Sequence, residues 1–254
     1  GLTTMGVMTN IKMFNDALSL ADLSNMPTPT VYSWTQLGSD IDGEAAGDTA
    51  GNSISLSSDG TILAVGASAN DGAGSEAGHV RMYKWSSGLW TQIGSDINGD
   101  AINDRIGHDV SISSDGTILA TSAQHHNGNG SKSGLVRVYE WANSSWTQLG
   151  TDIYGEAVDD YLGWSISLNS NGTILVVSSR GKYVKVYKLL GNEWTQLGSN
   201  ITPIGDYFLG WDIVLNNDGT KLAVSASAGN RVEVYEIEEL PGNLLWKSSG
   251  TYYI

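Results

Sequence analysis

Apolar and polar residues alternate along this chain in short runs. Ser53-Ile54-Ser55-Leu56 places apolar side chains at every second position, the period of a strand with one buried face. Asp59-Gly60 follows, and then Ile62-Leu63-Ala64-Val65-Gly66-Ala67, a nearly continuous apolar run expected of a strand covered on both faces. Val80, Met82 and Lys84 alternate with Arg81, Tyr83 and Trp85 as a third strand, and Trp90-Thr91-Gln92-Ile93-Gly94 supplies a fourth. The Asp-Gly pair predicts a two-residue hairpin with both residues at positive φ, which makes the first two strands antiparallel neighbours.

The whole unit recurs. Trp34-Thr35-Gln36-Leu37-Gly38 returns at Trp90, at Trp146 and at Trp194, with spacings of 56, 56 and 48 residues. A degenerate fifth copy keeps Trp246 and Gly250. Asp115-Gly116, Asn171-Gly172 and Asp218-Gly219 repeat the hairpin, and Val136, Val184 and Val232 open the repeated third strand. Four short antiparallel strands per unit, repeated four times, predict an all-β fold, a β-propeller of four-stranded blades, in preference to an open β-solenoid. The tryptophan strand occurs five times and the other three strands four times. Either 31–41 completes the last blade, or the chain is a window of a larger ring with 244–254 as the last outer strand. The regular tryptophans Trp34, Trp90, Trp146 and Trp194 are expected in the core or between blades.

Ala50-Gly51-Asn52-Ser53-Ile54, Leu63-Ala64-Val65-Gly66-Ala67 and Gly78-His79-Val80-Arg81-Met82-Tyr83, in that order, resemble the FG-GAP repeat. The stretches from Ile106-Gly107 to Tyr139 and from Leu162-Gly163 to Tyr187 resemble it as closely, so the likeness spans about residues 31–254. That repeat builds the seven-bladed propeller of integrin α chains, and the resemblance implies an extracellular adhesion or ligand-binding module. The family's calcium loop between strands one and two is cut here to Ser57-Ser58-Asp59-Gly60, too short to wrap an ion that takes six to eight oxygens. Residues 6–23 resemble the last strand and short helix of concanavalin-like, laminin-G-type jelly rolls. They imply that residues 1–26 are the tail of a preceding domain in a larger multidomain chain, with Met26-Pro27-Thr28-Pro29-Thr30 giving a stiff linker at 27–30 and the propeller running over 31–254.

Composition narrows the function. The 254 residues carry a formal charge of −14 and 32 glycines, with no cysteine. The charge disfavours a nucleic-acid backbone or an anionic membrane as partner, and the missing thiol removes disulfides, thiolate metal sites and cysteine nucleophiles. No apolar run approaches the ~20 residues that insert into a bilayer.

In a meander of four strands the hairpins one-to-two and three-to-four share one end. The two-to-three loops and the crossovers share the other, and here that other end is long and acidic. Its crossovers hold Asp40, Asp42, Glu44 and Asp48, then Asp96, Asp100 and Asp104, then Asp160, and finally Asp206. The oxygen spacing resembles a hard-cation loop that lacks its bidentate glutamate. Calcium is therefore one reading, and turn aspartates bonding backbone amides the other. Asn52, His108, Trp164 and Trp211 hold one repeat position, with Tyr154, Tyr161 and Tyr207 nearby. They are either sugar-stacking ligands or a plug of the central channel. No acid, base and nucleophile converge. The expected function is a non-enzymatic surface module binding glycan or protein, with an architectural tile of a virion, appendage or matrix as the alternative.

Overall fold

The computed structural model describes residues 32–203, 208–240 and 243–253. The chain divides into two compact units, Gly1–Gln36 and Leu37–Ile254. Segment 6–23 with its jelly-roll likeness, the linker 27–30, Asp206 and Tyr207 lie outside the described residues.

In the second unit four antiparallel sheets are arranged as a four-bladed β-propeller. The first contains β1 (Ala50–Leu56), β2 (Ile62–Ala67), β3 (His79–Ser86) and β4 (Leu89–Gln92) in meander order, with β5 (Ile97–Asn98) returning to pair β3. The second repeats this with β6 (Ile106–Ile112), β7 (Ile118–Ala123), β8 (Leu135–Ala142), β9 (Ser145–Gln148) and β10 (Ile153–Tyr154). The third comprises β11 (Ile166–Leu168), β12 (Ile174–Ser178), β13 (Val184–Leu190) and an unbroken outer strand β14 (Glu193–Ile201). The fourth is β15 (Leu209–Leu215), β16 (Lys221–Ala226), β17 (Arg231–Leu240) and β18 (Asn243–Tyr253). The only helical turn among the described residues is a 3-10 turn at Ser227–Gly229, and no helix there is long and apolar enough to cross a membrane.

Strand β18 pairs β17 from Arg231↔Tyr253 to Leu240↔Asn243, so the last blade takes its outer strand from there and not from 31–41. Trp34 corrects an expectation, because it is 98% exposed where Trp194 is 9% exposed. The tryptophan pairs Trp85–Trp90 and Trp141–Trp146 instead meet in tilted contact across their hairpins, with ring centroids 5.3 and 5.2 Å apart, which supports the register of the outer strands.

The hairpins differ in kind from the two-residue turn expected. Gly60, Gly116, Gly172 and Gly219 have positive φ while the preceding Asp or Asn does not, so a turn with two left-handed residues is not formed. Each glycine N–H closes the turn, as Gly60 N does on Ser57 O at 2.9 Å. The Asp59 carboxylate accepts from Thr61 N at 2.9 Å and Ser57 Oγ at 2.7 Å, an Asx-type cap of the loop. The hairpins line one end of the molecule, linked blade to blade by Ser58 N to Ser114 O, Ser114 N to Ser170 O and Ser170 N to Asn217 O.

The serines of the inner strand are the adhesive between blades. Ser53 Oγ accepts from Val110 N at 3.0 Å and Ser55 Oγ from Ile112 N at 3.1 Å. Ser111 Oγ and Ser167 Oγ accept from Leu168 N and Leu215 N, each at 3.0 Å. These edge N–H groups would otherwise be unpaired donors at a sheet edge. The backbones approach so closely there that a Cβ on Gly66 would lie 2.2 Å from Gly107 O, a contact only glycine permits. Apolar residues fill the rest of each seam. Val110 and Ile112 pack with Ala64, Val80 and Met82, and Ile213 and Leu215 with Val176, Val184 and Val186.

Candidate active site

The acidic end of the propeller is organised by cations on strand three. Arg81 on β3 bridges Glu44 of the incoming crossover to Asp96 of the outgoing one, with Arg81 Nε donating to Asp96 Oδ1 at 2.8 Å. Arg137 on β8 repeats the arrangement with Asp100 and a bidentate contact to Asp152 at 2.7 and 2.8 Å. Lys185 on β13 pairs with Glu156 at 2.8 Å. The guanidinium hydrogen bonds hold the carboxyls of Asp96 and Asp152 below the usual carboxylate range, as expected for an acid against a fixed cation.

The turn aspartates are buried. Asp48, Asp104 and Asp160 are 5%, 2% and 2% exposed. Asp104 Oδ2 accepts from Ala101 N at 2.8 Å, and Asp160 Oδ2 from Glu156 N and Ala157 N at 2.8 and 2.9 Å. A partner on the two-to-three loop completes each one. Asn70 Nδ2 donates to Asp48 at 3.0 Å and Lys182 Nζ to Asp160 at 2.7 Å, while His126 Nδ1 stands at ion-pair distance, 3.1 Å, from Asp104. Three different partners at one repeat position mark a structural role. The groups Glu44, His79 and Asp96, and Asp100, Asp104 and His126, each bring three potential ligand atoms within 4.8 Å. Asp40 and Asp42 are exposed and belong to neither cluster.

Nearer the axis the character changes. Asn52 Nδ2 donates to His108 O at 2.8 Å. The His108 ring lies 5.3 Å from Trp164, and Trp164 lies 5.0 Å from Trp211, so three of the four residues at this repeat position form a line of rings. Tyr161 is the hub beside it. Its ring takes the Arg180 guanidinium at 5.5 Å, Lys132 Nζ at 5.8 Å and the His125 imidazole edge-on at 5.7 Å. Arg180 also lies 4.8 Å over Trp164. A groove beside this hub is lined by Glu76, Arg105, His125, Asn127, Ser131 and Lys132 among others, with Arg105 Nε donating to Glu76 Oε2 at 2.9 Å, so that this arginine is paired within the groove. Arg105, Tyr161 and Lys132 sit at positive φ, between 49° and 60°. Such non-glycine conformations cost of order 1–3 kcal/mol each and persist where the surroundings impose them.

Both histidines of this basin are held neutral at pH 7. Burial, followed by the charges of His125 and Arg105, drives His108 down to about 4. Burial, then Arg105 and Lys132, lowers His125 as well. A neutral imidazole among fixed cations can accept a proton from water while the cations attract an anion.

The structure thus brings together four residues singled out in the sequence, Asn52, His108, Trp164 and Trp211, with Tyr161 beside them. Tyr154 is elsewhere, its hydroxyl on Asp152 at 2.7 Å and its ring stacked on His126. Sequence reasoning missed Arg105, His125, Lys132 and Arg180, which come from three different loops of two blades and have no shared motif. It also missed the clamps, although their signal was present: Arg81, Arg137 and Lys185 each follow the valine that opens strand three, in a chain with only 13 lysines and arginines.

No family model matches the chain, and no curated protein matches it. Solved structures do. A putative 6-phosphogluconolactonase from Bacteroides uniformis superposes with a TM-score of 0.58 at 14% identity over 80% of this chain and 54% of that one. A putative 6-phosphogluconolactonase from Bacteroides fragilis gives 0.55 at 14% over 79% and 54%. A protein from Lactobacillus plantarum gives 0.55 at 19% over 79% and 54%. The chain spans about half the length of these structures, and identities this low establish a shared propeller fold alone. The comparisons still overturn the expectation of a non-enzymatic surface module or tile. That expectation rested on repeats holding only structural residues, yet the scaffold is one on which proteins described as lactonases are built, and the axial basin departs from the repeat.

Proposed function

We propose that the chain is a hydrolase of cyclic esters, acting on a sugar-derived lactone that carries an anionic group. One observation carries the reading: in a chain of charge −14, Arg180 and Lys132 converge with neutral His125 on Tyr161, beside an indole platform at Trp164. The two Bacteroides structures, both putative 6-phosphogluconolactonases, suggest the substrate class.

The chemistry follows from these groups. Trp164 and Trp211 offer apolar faces for the sugar ring, and Lys132 attracts the anionic substituent, while Arg105 is held by Glu76. His125 takes a proton from a water as that water adds to the lactone carbonyl carbon. The oxyanion of the tetrahedral intermediate forms next to Arg180, a fixed positive charge that stabilises it. Collapse breaks the ring C–O bond, and the imidazolium returns its proton to the leaving alkoxide, giving the open hydroxy acid.

The test is hydrolysis of 6-phosphogluconolactone and unphosphorylated gluconolactone, followed by proton release against the spontaneous rate. The expected result is acceleration with preference for the phosphorylated substrate, lost in His125→Gln and with KM raised in Lys132→Ala. Rates equal to the spontaneous ones for both substrates would overturn the proposal.

A further inference from the structure

The strands β1, β6, β11 and β15 hold the same place in four blades, and their apolar residues point into the core of the blade before. Val110 and Ile112 are 4% and 8% exposed, Ile166 and Leu168 5% and 8%, Ile213 and Leu215 4% and 7%. Their counterparts in the first blade, Ile54 and Leu56, are 65% and 56% exposed. At the other end of the array, Ala223, Val232 and Val234 of the fourth blade occupy the places of Ala64, Val80 and Met82. In the first blade those three are at most 1% exposed and receive Val110 and Ile112; in the fourth they are partly exposed. The array therefore ends on one side in two apolar knobs and on the other in the socket that takes such knobs.

We propose that these ends are two halves of one interface, and that the first blade of one copy of this chain seats on the fourth blade of a second copy. Residue type and register argue for this occupant: the socket repeats the Ala–Val–hydrophobe set of the interior seams, and Asp212 stands in the place of Asp109, whose Oδ2 accepts Ile166 N at 2.8 Å. The contact is head-to-tail, with different surfaces on the two copies, and such contacts close only when their rotation completes a ring. One defect is built in. Val214 stands where Ser55, Ser111 and Ser167 accept the next blade's N–H, and it is 57% exposed. The Leu56 N–H of the incoming copy then lacks an acceptor, so this seam is weaker than the interior ones.

Light scattering during gel filtration of the full chain, over a range of concentrations, should show a monomer giving way to a species of twice the mass. Leu56→Arg should weaken the association by at least about ten-fold, and Val214→Ser should tighten it by about as much. Melting of each variant checks that the blades remain folded. The chain has no cysteine, so Leu56→Cys copies mixed with Val214→Cys copies should form a disulfide-linked heterodimer under mild oxidation, while each alone should not. A chain that stays monomeric at high concentration and gives no cross-link overturns the proposal. So does a dimer indifferent to both Leu56→Arg and Val214→Ser.

Discussion

Asp160 is the residue whose removal the structure prices most clearly. Its carboxylate accepts from Glu156 N at 2.8 Å, Ala157 N at 2.9 Å, Tyr183 Oη at 2.7 Å and Lys182 Nζ at 2.7 Å, and the residue is 2% exposed. Lys182 is 44% exposed in its side chain, so its ion pair is screened and contributes less than about 1 kcal/mol. The other three donors are different. Hydrogen bonds to a charged acceptor contribute about 1.5–3 kcal/mol each, and a buried donor left alone costs about 1–3 kcal/mol. Water entering the site in Asp160→Ala would restore part of this, so the expected loss is about 3–4 kcal/mol, well below the sum. Asp160→Asn keeps one acceptor oxygen and should lose about 1–2 kcal/mol, and Lys182→Ala less than about 1 kcal/mol. Urea denaturation followed by circular dichroism, with the slope held constant as a two-state check, measures all three. A loss below about 1 kcal/mol in Asp160→Ala, or equal losses in the alanine and asparagine variants, would falsify the view that the carboxylate organises this loop.

Four further outcomes are expected. His108, with its folded value near 4 against 6.5 for the free side chain, is protonated in the unfolded chain first; stability should fall as pH drops from about 6.5 to 4, by up to about 3 kcal/mol, and a His108→Phe variant should lack that part of the slope. His126 is raised by its hydrogen bond to Asp104, so its contribution is complete below the unfolded value and fades as pH rises through the folded one, a slope that His126→Asn removes. Gly99→Ala would put a Cβ 2.2 Å from Ala77 O, a backbone atom that cannot yield cheaply, and should lower the melting temperature by several degrees. Calcium and magnesium at matched ionic strength should shift the melting temperature equally, because the crossover carboxylates already spend their oxygens on Arg81, Arg137 and backbone amides; a calcium-specific rise abolished by Asp104→Ala would show a metal site there.

The sequence by itself determined the blades. Period-two alternation, glycine in each hairpin and the tryptophan anchors are local signals, written within a few residues of where they act, and β1 to β4 follow from them directly. Even so, the alternating serines Ser53, Ser55, Ser111 and Ser167 looked like a solvent face. Only the lateral stacking of blades, which turns the inner edge of one strand toward the next, makes them hydrogen-bond acceptors for N–H groups 57 or 48 residues away. The steady turn aspartates were legible as amide acceptors because their partners lie three or four residues off, whereas their loop partners Asn70, His126 and Lys182 were not, being 22 residues away on another loop. The basin around Tyr161 shows the same limit most sharply. Arg105, His125, Lys132 and Arg180 share no motif that marks them as a group, whereas Trp164 was visible in the sequence through its repeat position. Their proximity exists only because the stacking of successive blades brings their loops together, and a pattern along the chain cannot encode a distance that this lateral stacking creates.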